Sequence, residues 1–124
     1  MSLLEERALI EELGKNNRII QESVPGKQIT LAHVVAAPIA AVYDSLGVGH
    51  VGAIGILSLT PNETAIIAAD IAGKAADVDI CFVDRFTGSV MFNGDVQSVE
   101  TSLDQVLRYF KDTLGFSTVP LTKS

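Results

Sequence analysis

The chain is poor in the residues that build most recognisable chemical sites. Its 124 residues include one cysteine, two histidines and nine lysines and arginines. A single cysteine cannot form an internal disulfide, which is typical of a reducing compartment, so we expect a cytoplasmic protein. Fifteen acidic residues bring the net charge to -6. This charge argues against a nucleic-acid partner, because phosphate binding needs clustered Lys and Arg.

Long apolar runs are also absent. No run reaches the ~18 to 20 residues that a membrane span needs, and the acidic first dozen residues do not resemble a secretory signal. We therefore expect no membrane partner. The length and the 48% hydrophobic content suit one domain with a buried core, without room for a second.

The hydrophobic pattern predicts an α/β order of strands and helices. Residues 2–13 are predicted as a short amphipathic helix. Strands are predicted at 18–24, 27–35, 51–59, 78–86, 89–93 and 116–121, and helices at 38–46, 60–76 and 95–114. The helix at 38–46 carries one apolar stripe, Ile39, Val42, Tyr43 and Leu46. Thr60-Pro61-Asn62-Glu63 is typical of a helix start, with Thr60 as N-cap.

The candidate chemical groups do not form a convincing active site. We expect His33, in a strand, to be a hydrogen-bonded core or interface residue, and Cys81 to be a buried, inert thiol. Strand alternation places Asp77 and Asp79 on one face and Asp84 on the other, and Asp84 next to a turn favours an ion pair with Arg85 or a loop-fixing contact. The glycines of residues 47–52 precede a strand, so they indicate a connecting loop and not a phosphate cradle. We expect no catalytic residue, metal or cofactor.

Several motifs resemble bacterial microcompartment (BMC) shell domains. Gly88 to Val99 resembles the hairpin and helix start of that domain, and Lys74 to Val78 resembles its edge segment. The run from Ile19 to His33 resembles a circularly permuted subfamily, the EutS and PduU types, in which the parts at residues 31–46 come before the opening strand. Further matching motifs are Leu59-Thr60-Pro61, Val83-Asp84-Arg85-Phe86-Thr87-Gly88 and Leu121-Thr122-Lys123-Ser124.

The resemblance implies a structural shell subunit and no enzyme. It implies a ferredoxin-like α+β fold at residues 18–124, a helical or disordered extension at 1–17, and a cyclic homohexamer with a capped central opening. The compartment would be of the ethanolamine, propanediol or choline type, and the partners would be other shell proteins and possible encapsulated enzymes. The strand that forms an axial β-barrel would comprise Ile19, Ile20, Gln21, Glu22, Ser23 and Val24. The turn facing the axis would comprise Arg85, Phe86, Thr87 and Gly88, and Lys74 would lie at the subunit edge.

Two departures from the family pattern and two rival functions accompany this interpretation. The segment at residues 1–17 is longer than we expect for close relatives. Ala37 stands where ordinary shell domains carry an arginine at the edge. The first rival is a small-molecule-binding regulatory protein of ferredoxin-like type. The second is a small lyase or isomerase that uses His33 or Asp84 as base.

Overall fold

The fold is one mixed sheet with helices on both faces. In the computed structural model, Leu3 and residues 26–124 are described. The strands are β1 (Gln28–Ala36), β2 (Ala53–Thr60), β3 (Asp79–Asp84), β4 (Ser89–Gly94) and β5 (Thr122–Lys123). The helices are α1 (Ala40–Leu46), a 3₁₀ turn (Asn62–Thr64), α2 (Ala65–Ala75) and α3 (Val96–Asp112). Within this part of the chain, the predicted α/β order is confirmed.

The sheet order is β3-β4-β2-β1-β5. Neighbouring strands run antiparallel except for the short parallel pairing of β5 with β1, at His33 with Thr122 and Val34 with Lys123. The long apolar strand β2 lies in the centre, as expected of a strand that is covered on both faces. The strand β3 lies at an edge.

The inner face of the sheet carries the main core together with α2 and α3. The predicted stripe of α3 is confirmed, and four of its residues are fully buried: Val99, Leu103, Val106 and Phe110. The small residues of α2 face the same core, and they are Ala65, Ala68, Ala69 and Ala72. The buried Ser102 hydroxyl of α3 donates to the Ala72 carbonyl at 3.0 Å. The alanine-rich face of α2 therefore packs against elements of its own chain.

Gly55 leaves room at the centre of this core. It pairs across the sheet with Phe92 of β4. A Cβ at Gly55 would lie 2.7 Å from the Phe92 ring and 3.0 Å from Val99 Cγ1. The absence of a side chain in β2 therefore allows a large ring and a helix residue to meet above the strand.

The outer face is covered by α1 and the loop that follows it. Tyr43 is buried and packs on Ile54 and Met91. The other members of the predicted stripe are not buried, because Ile39 is 71% exposed and Val42 and Leu46 are also exposed. The apolar stripe of α1 is therefore only partly covered by the described residues.

Two predicted boundaries are wrong. Thr60 is the last residue of β2 and not a helix N-cap. The 3₁₀ turn comes between β2 and α2, and within it the backbone N–H and the hydroxyl of Thr64 both donate to the Pro61 carbonyl. The predicted strand at 116–121 is reduced to a single bridge between Ser117 and Gln28, and the strand lies later, at Thr122–Lys123. Pro120 lacks the N–H that a continuous ladder would need.

The elements predicted for the first segments lie mostly outside the described residues. This applies to the helix predicted at 2–13, apart from Leu3, and to the strand predicted at 18–24. Among the helices of the described part, none is both long and apolar enough to cross a bilayer.

Candidate functional site

The turn between β3 and β4 is the most exposed aromatic feature of the described residues. Phe86 is 76% exposed. The guanidinium carbon of Arg85 lies 5.0 Å from the centroid of the Phe86 ring, which is a cation–π contact. A cation and an aromatic ring are thus presented together at the tip of a hairpin. We call residues 85–88 the tip turn.

Asp84 fixes the backbone of the tip turn. Its Oδ1 accepts hydrogen bonds from the backbone N–H groups of Phe86 at 2.9 Å and Thr87 at 3.2 Å, and its carbonyl accepts from Gly88 N–H at 2.9 Å. The bond from Phe86, followed by those from Thr87, lowers the pKa of Asp84 below its ordinary value. The predicted loop-fixing contact is confirmed, and a carboxylate with a lowered pKa is a poor general base.

The tip turn also contacts the junction between β2 and α2. Asn62 Nδ2 donates to the Phe86 carbonyl at 2.6 Å. Leu59 N–H donates to the Gly88 carbonyl at 2.8 Å. The sequence does not predict this role of Asn62, because the residue lies in a pattern typical of a helix start. No local pattern indicates a contact between segments 24 residues apart.

The edge strand β3 exposes an apolar surface next to the tip turn. Ile80, Phe82 and Val83 are all exposed. A bulge between Ile80 and Phe82 shifts the register against β4. Natural edge strands are normally guarded by Lys, Pro or a covering element, so an apolar edge of this kind is typical of a contact with another chain.

Because of the bulge, the carboxylates of β3 are not arranged as predicted. Asp79 pairs with Asn93 and Asp84 pairs with Ser89, and these two partners are four residues apart in β4. Side chains four residues apart in a regular strand share a face. The two carboxylates therefore lie on the same side of the sheet, at opposite ends of β3, and not on opposite faces as predicted.

Lys74 lies in the last turn of α2. Its Nζ contacts Asp70 Oδ2 at 2.7 Å, and both side chains are well exposed. This spacing of four residues is a common helical ion pair with a small contribution to stability. The charge of Lys74 therefore lies on the surface, on a different element from the tip turn.

His33 has both ring nitrogens engaged. Nδ1 lies 2.6 Å from Thr122 Oγ1, and Nε2 lies 2.8 Å from Ser124 Oγ. The predicted hydrogen bonding is confirmed, but His33 is only partly buried and is not a core residue. The imidazole joins β1 to the C-terminal strand, which leaves neither nitrogen directed at a separate substrate position.

Cys81 is half-buried beside the outer-face cluster. Burial, and then the charge of Asp79, raise the pKa of its thiol. A thiol with a raised pKa is protonated at neutral pH and is a weak nucleophile. The thiol is only partly buried, contrary to the prediction, and its inertness stays a prediction that the raised pKa supports.

The glycine loop at residues 47–52 connects α1 to β2, as predicted. Gly47 ends α1 with φ 71°. The His50 ring stacks on Tyr43 with centroids 4.7 Å apart, and its Nε2 contacts Asp44 at 2.9 Å. The loop is thus held by side chains of α1 and offers no open cradle of N–H groups.

Comparison with known proteins identifies the family. The family model described as BMC domain matches residues 53–120. The chain is 82% identical over 116 residues to the bacterial microcompartment shell protein CutR of Streptococcus intermedius. That match covers 94% of this chain and 100% of the relative. The chain is also 52% identical over 107 residues to the shell protein EutS of Salmonella typhimurium, a match that covers 86% of this chain and 96% of that protein.

A solved structure of a relative has the same fold. The structure described as "CutR flat hexamer, form 1" is 81% identical, with a TM-score of 0.79, and covers 87% of this chain and 100% of its own. At 81% identity the comparison supports a shared family as well as a shared fold. The chain therefore belongs to the BMC-domain family of bacterial microcompartment shell proteins, in the group that contains EutS and PduU.

Proposed function

We propose that this chain is a structural shell subunit that closes into a cyclic homohexamer. The observation that carries the proposal is the 81% identity to a protein solved as a flat hexamer. Each subunit of a ring contacts its two neighbours through two different surfaces. The exposed apolar residues of β3 and those of α1 supply two such surfaces on different elements.

We further propose that residues 18–124 are a circularly permuted BMC domain. The family model begins its match at Ala53, the first residue of β2. The preceding strand β1 nevertheless pairs with β2 along its whole length and lies between β2 and β5 in the sheet. A segment that precedes the matched region yet is built into the sheet supports a permuted order of parts.

In the proposed ring, the tip turn faces the sixfold axis. Its fixed backbone, exposed Phe86 and stacked Arg85 support this placement, because an aromatic ring at the surface favours burial against another chain. Six copies would bring their turns together and narrow the central opening. Passage through the axis would then depend on Arg85 and Phe86.

We also propose that Ile19 to Val24 forms the axial β-barrel, with residues 1–17 as an extension. Apart from Leu3, these residues lie outside the described part of the chain. The support is physical, since six mixed-polarity strands that close into a barrel remove six open edges. The extension would bind an encapsulated enzyme or a neighbouring shell protein, and deleting residues 1–17 would release such a partner in co-purification.

The proposed lateral contact between hexamers uses Lys74. Its exposed position at the end of α2 supports this role. Ala37, which is exposed and has φ 49°, occupies the position of the family's edge arginine and supplies no charge. Lys74 is therefore the expected cation at the edge of a shell that serves an ethanolamine, propanediol or choline type of compartment.

Native mass spectrometry of the full chain tests the ring. A hexamer has a mass of about 79 kDa, six times the 13.1 kDa chain. A stable monomer or dimer at micromolar concentration would contradict the proposal and return the ferredoxin-like regulatory protein to consideration.

For the edge, Lys74→Ala should abolish sheets of hexamers in electron microscopy while the hexamer mass persists. Lys111→Ala, which removes an exposed charge from the end of α3, is the matched control.

A further inference from the structure

We infer that Asn62 is the positioning residue of the tip turn, and that it holds this turn in one fixed form for contact with a second copy of this chain. The inference rests on the proposed ring, with the tip turn at its axis. Asn62 belongs to neither β3 nor β4. It lies 24 residues before Phe86, in the 3₁₀ turn between β2 and α2.

The hydrogen bond from Asn62 adds a side-chain connection between two segments that already meet through the Leu59 N–H and the pairing of β2 with β4. Its Nδ2 donates to the carbonyl of Phe86, which is an exposed residue of the turn. The bonds from Asp84 fix the shape of the turn, but they all lie within residues 84–88. Asn62 and the Leu59 N–H connect that shape to the rest of the sheet.

The packing at Gly88 shows how closely the two segments approach. Gly88 has φ 75°, and a Cβ at this position would overlap the Leu59 carbonyl oxygen and lie 3.0 Å from Asn62 Oδ1. The backbone of the turn therefore lies directly on residues 59–62. Only glycine combines this conformation with this approach.

The side chain of Asn62 is not needed to start the helix. Neither the 3₁₀ turn nor α2 has a side-chain cap bond at its start, and the N–H and the hydroxyl of Thr64 both donate to the Pro61 carbonyl. The amide of Asn62 is instead directed at the tip turn. Its effect is on the placement of Arg85 and Phe86, which form no bond with Asn62 through their side chains in the described contacts.

A fixed turn favours association. A flexible loop loses conformational entropy when it orders against a partner, whereas a loop that is already ordered loses little. In a ring the same contact is made six times, so any looseness of the turn is repeated at each position. Removing the Asn62 donor should therefore weaken the ring more than it weakens the fold.

The sharpest variant is Asn62→Asp, which keeps the size of the side chain and replaces the donor by an acceptor facing the Phe86 carbonyl. Asn62→Ala removes the donor without adding charge. Gln105→Glu adds the same charge at an exposed position of α3 and is the control. Hydrogen exchange of the backbone at 84–88 reports the turn, exchange within α3 reports the fold, and native mass spectrometry over a dilution series reports the ring.

We expect both Asn62 variants to speed exchange at Phe86 and Thr87 by about tenfold or more, with α3 unchanged. The concentration at which half of the rings dissociate should rise by about tenfold or more. Unchanged exchange would overturn the positioning role, and faster exchange with unchanged rings would overturn its link to assembly. If the wild type itself forms no ring, the proposed function fails, while the exchange data still decide whether Asn62 holds the turn.

Discussion

The two faces of the sheet differ in how completely this chain covers them. The inner face packs against α2 and α3, and its largest side chains, such as Phe92 and Phe110, are fully buried. The outer face is covered by the short helix α1, from which Tyr43 alone is buried. The adjoining edge strand β3 has no buried residue. The described residues thus complete one core and leave apolar surface elsewhere.

This difference separates residues that stabilise the fold from residues that serve assembly. A substitution on the inner face should reduce the free energy of unfolding whether or not rings form. A substitution on β3 or at the tip turn should change the ring and leave the fold nearly intact. A shell subunit needs both groups, because its function consists of contacts between copies.

The largest expected effect comes from a matched pair of phenylalanines. Phe92→Ala removes a fully buried ring from the inner face, and it should lower the free energy of unfolding by about 3–5 kcal/mol. Phe82→Ala removes a ring that is 45% exposed at the edge, and it should cost less than about 1.5 kcal/mol. Urea unfolding of both variants at one protein concentration measures the difference.

The same pair should reverse its order when the ring is measured. Phe82→Ala should raise the concentration at which rings dissociate by about tenfold or more, as followed by native mass spectrometry. Equal losses of fold stability in the two variants would mean that β3 is as well covered as the inner face. In that case the separation of roles fails.

The inner face could be predicted from the sequence because it is local and periodic. Apolar residues from Val99 to Phe110 recur every three or four positions, and a continuous apolar run marks β2. The stripe on α1 has the same form, yet Ile39 is exposed. A pattern shows which side of a helix is apolar, but it does not show whether that side is covered by its own chain or by another copy.

The tip turn could be predicted only in part. Gly88 after Thr87 indicates a hairpin, and Asp84 beside it indicates a carboxylate that accepts backbone bonds. The contact of Asn62 with Phe86 depends on the sheet that brings two distant segments together. The bulge in β3 likewise depends on its pairing with β4, so alternation alone gave the wrong face for Asp84.

Gly55→Ala tests how tightly the inner face is packed. The added methyl group would meet the Phe92 ring and Val99 at the short distances given above. We expect a loss of about 1–3 kcal/mol in the free energy of unfolding, measured by urea unfolding. Gly49→Ala, in the connecting loop, is the control, because its Cβ would meet only Val51 Cγ1 at 3.8 Å. Equal effects at the two positions would indicate that the Phe92 ring moves aside.

Tyr43→Phe tests the cover of the outer face with a smaller change. The Tyr43 hydroxyl accepts a hydrogen bond from the Gly52 N–H at 3.1 Å. Its loss should lower the free energy of unfolding by about 0.5–1.5 kcal/mol and speed hydrogen exchange at Gly52. Tyr109→Phe removes a hydroxyl from an exposed ring of α3 and should change neither. A loss above that of Gly55→Ala would show that the outer face contributes more to the fold than its single buried helix residue suggests.

The smallest effect concerns acid stability at the start of α3, the helix that covers the inner face. Asp95 is its N-cap, and its carboxylate accepts from the Ser98 N–H at 2.9 Å and from the Ser98 hydroxyl at 2.7 Å. The Ser98 N–H and then the hydroxyl lower the pKa of Asp95 from its ordinary value of 3.8. The folded state therefore binds this proton less readily than the unfolded state. The stability that Asp95 contributes is present above pH 3.8 and is lost as the pH falls through the lowered pKa.

Asp95→Asn retains a side chain that caps helices well but does not titrate, so its unfolding midpoint in urea should fall less steeply below that pH. Asp112→Asn, which removes a carboxylate from the other end of α3, is the matched control. If both variants had the wild-type slope, the acid sensitivity of the fold would lie elsewhere, with Asp84 in the tip turn as the next carboxylate to test.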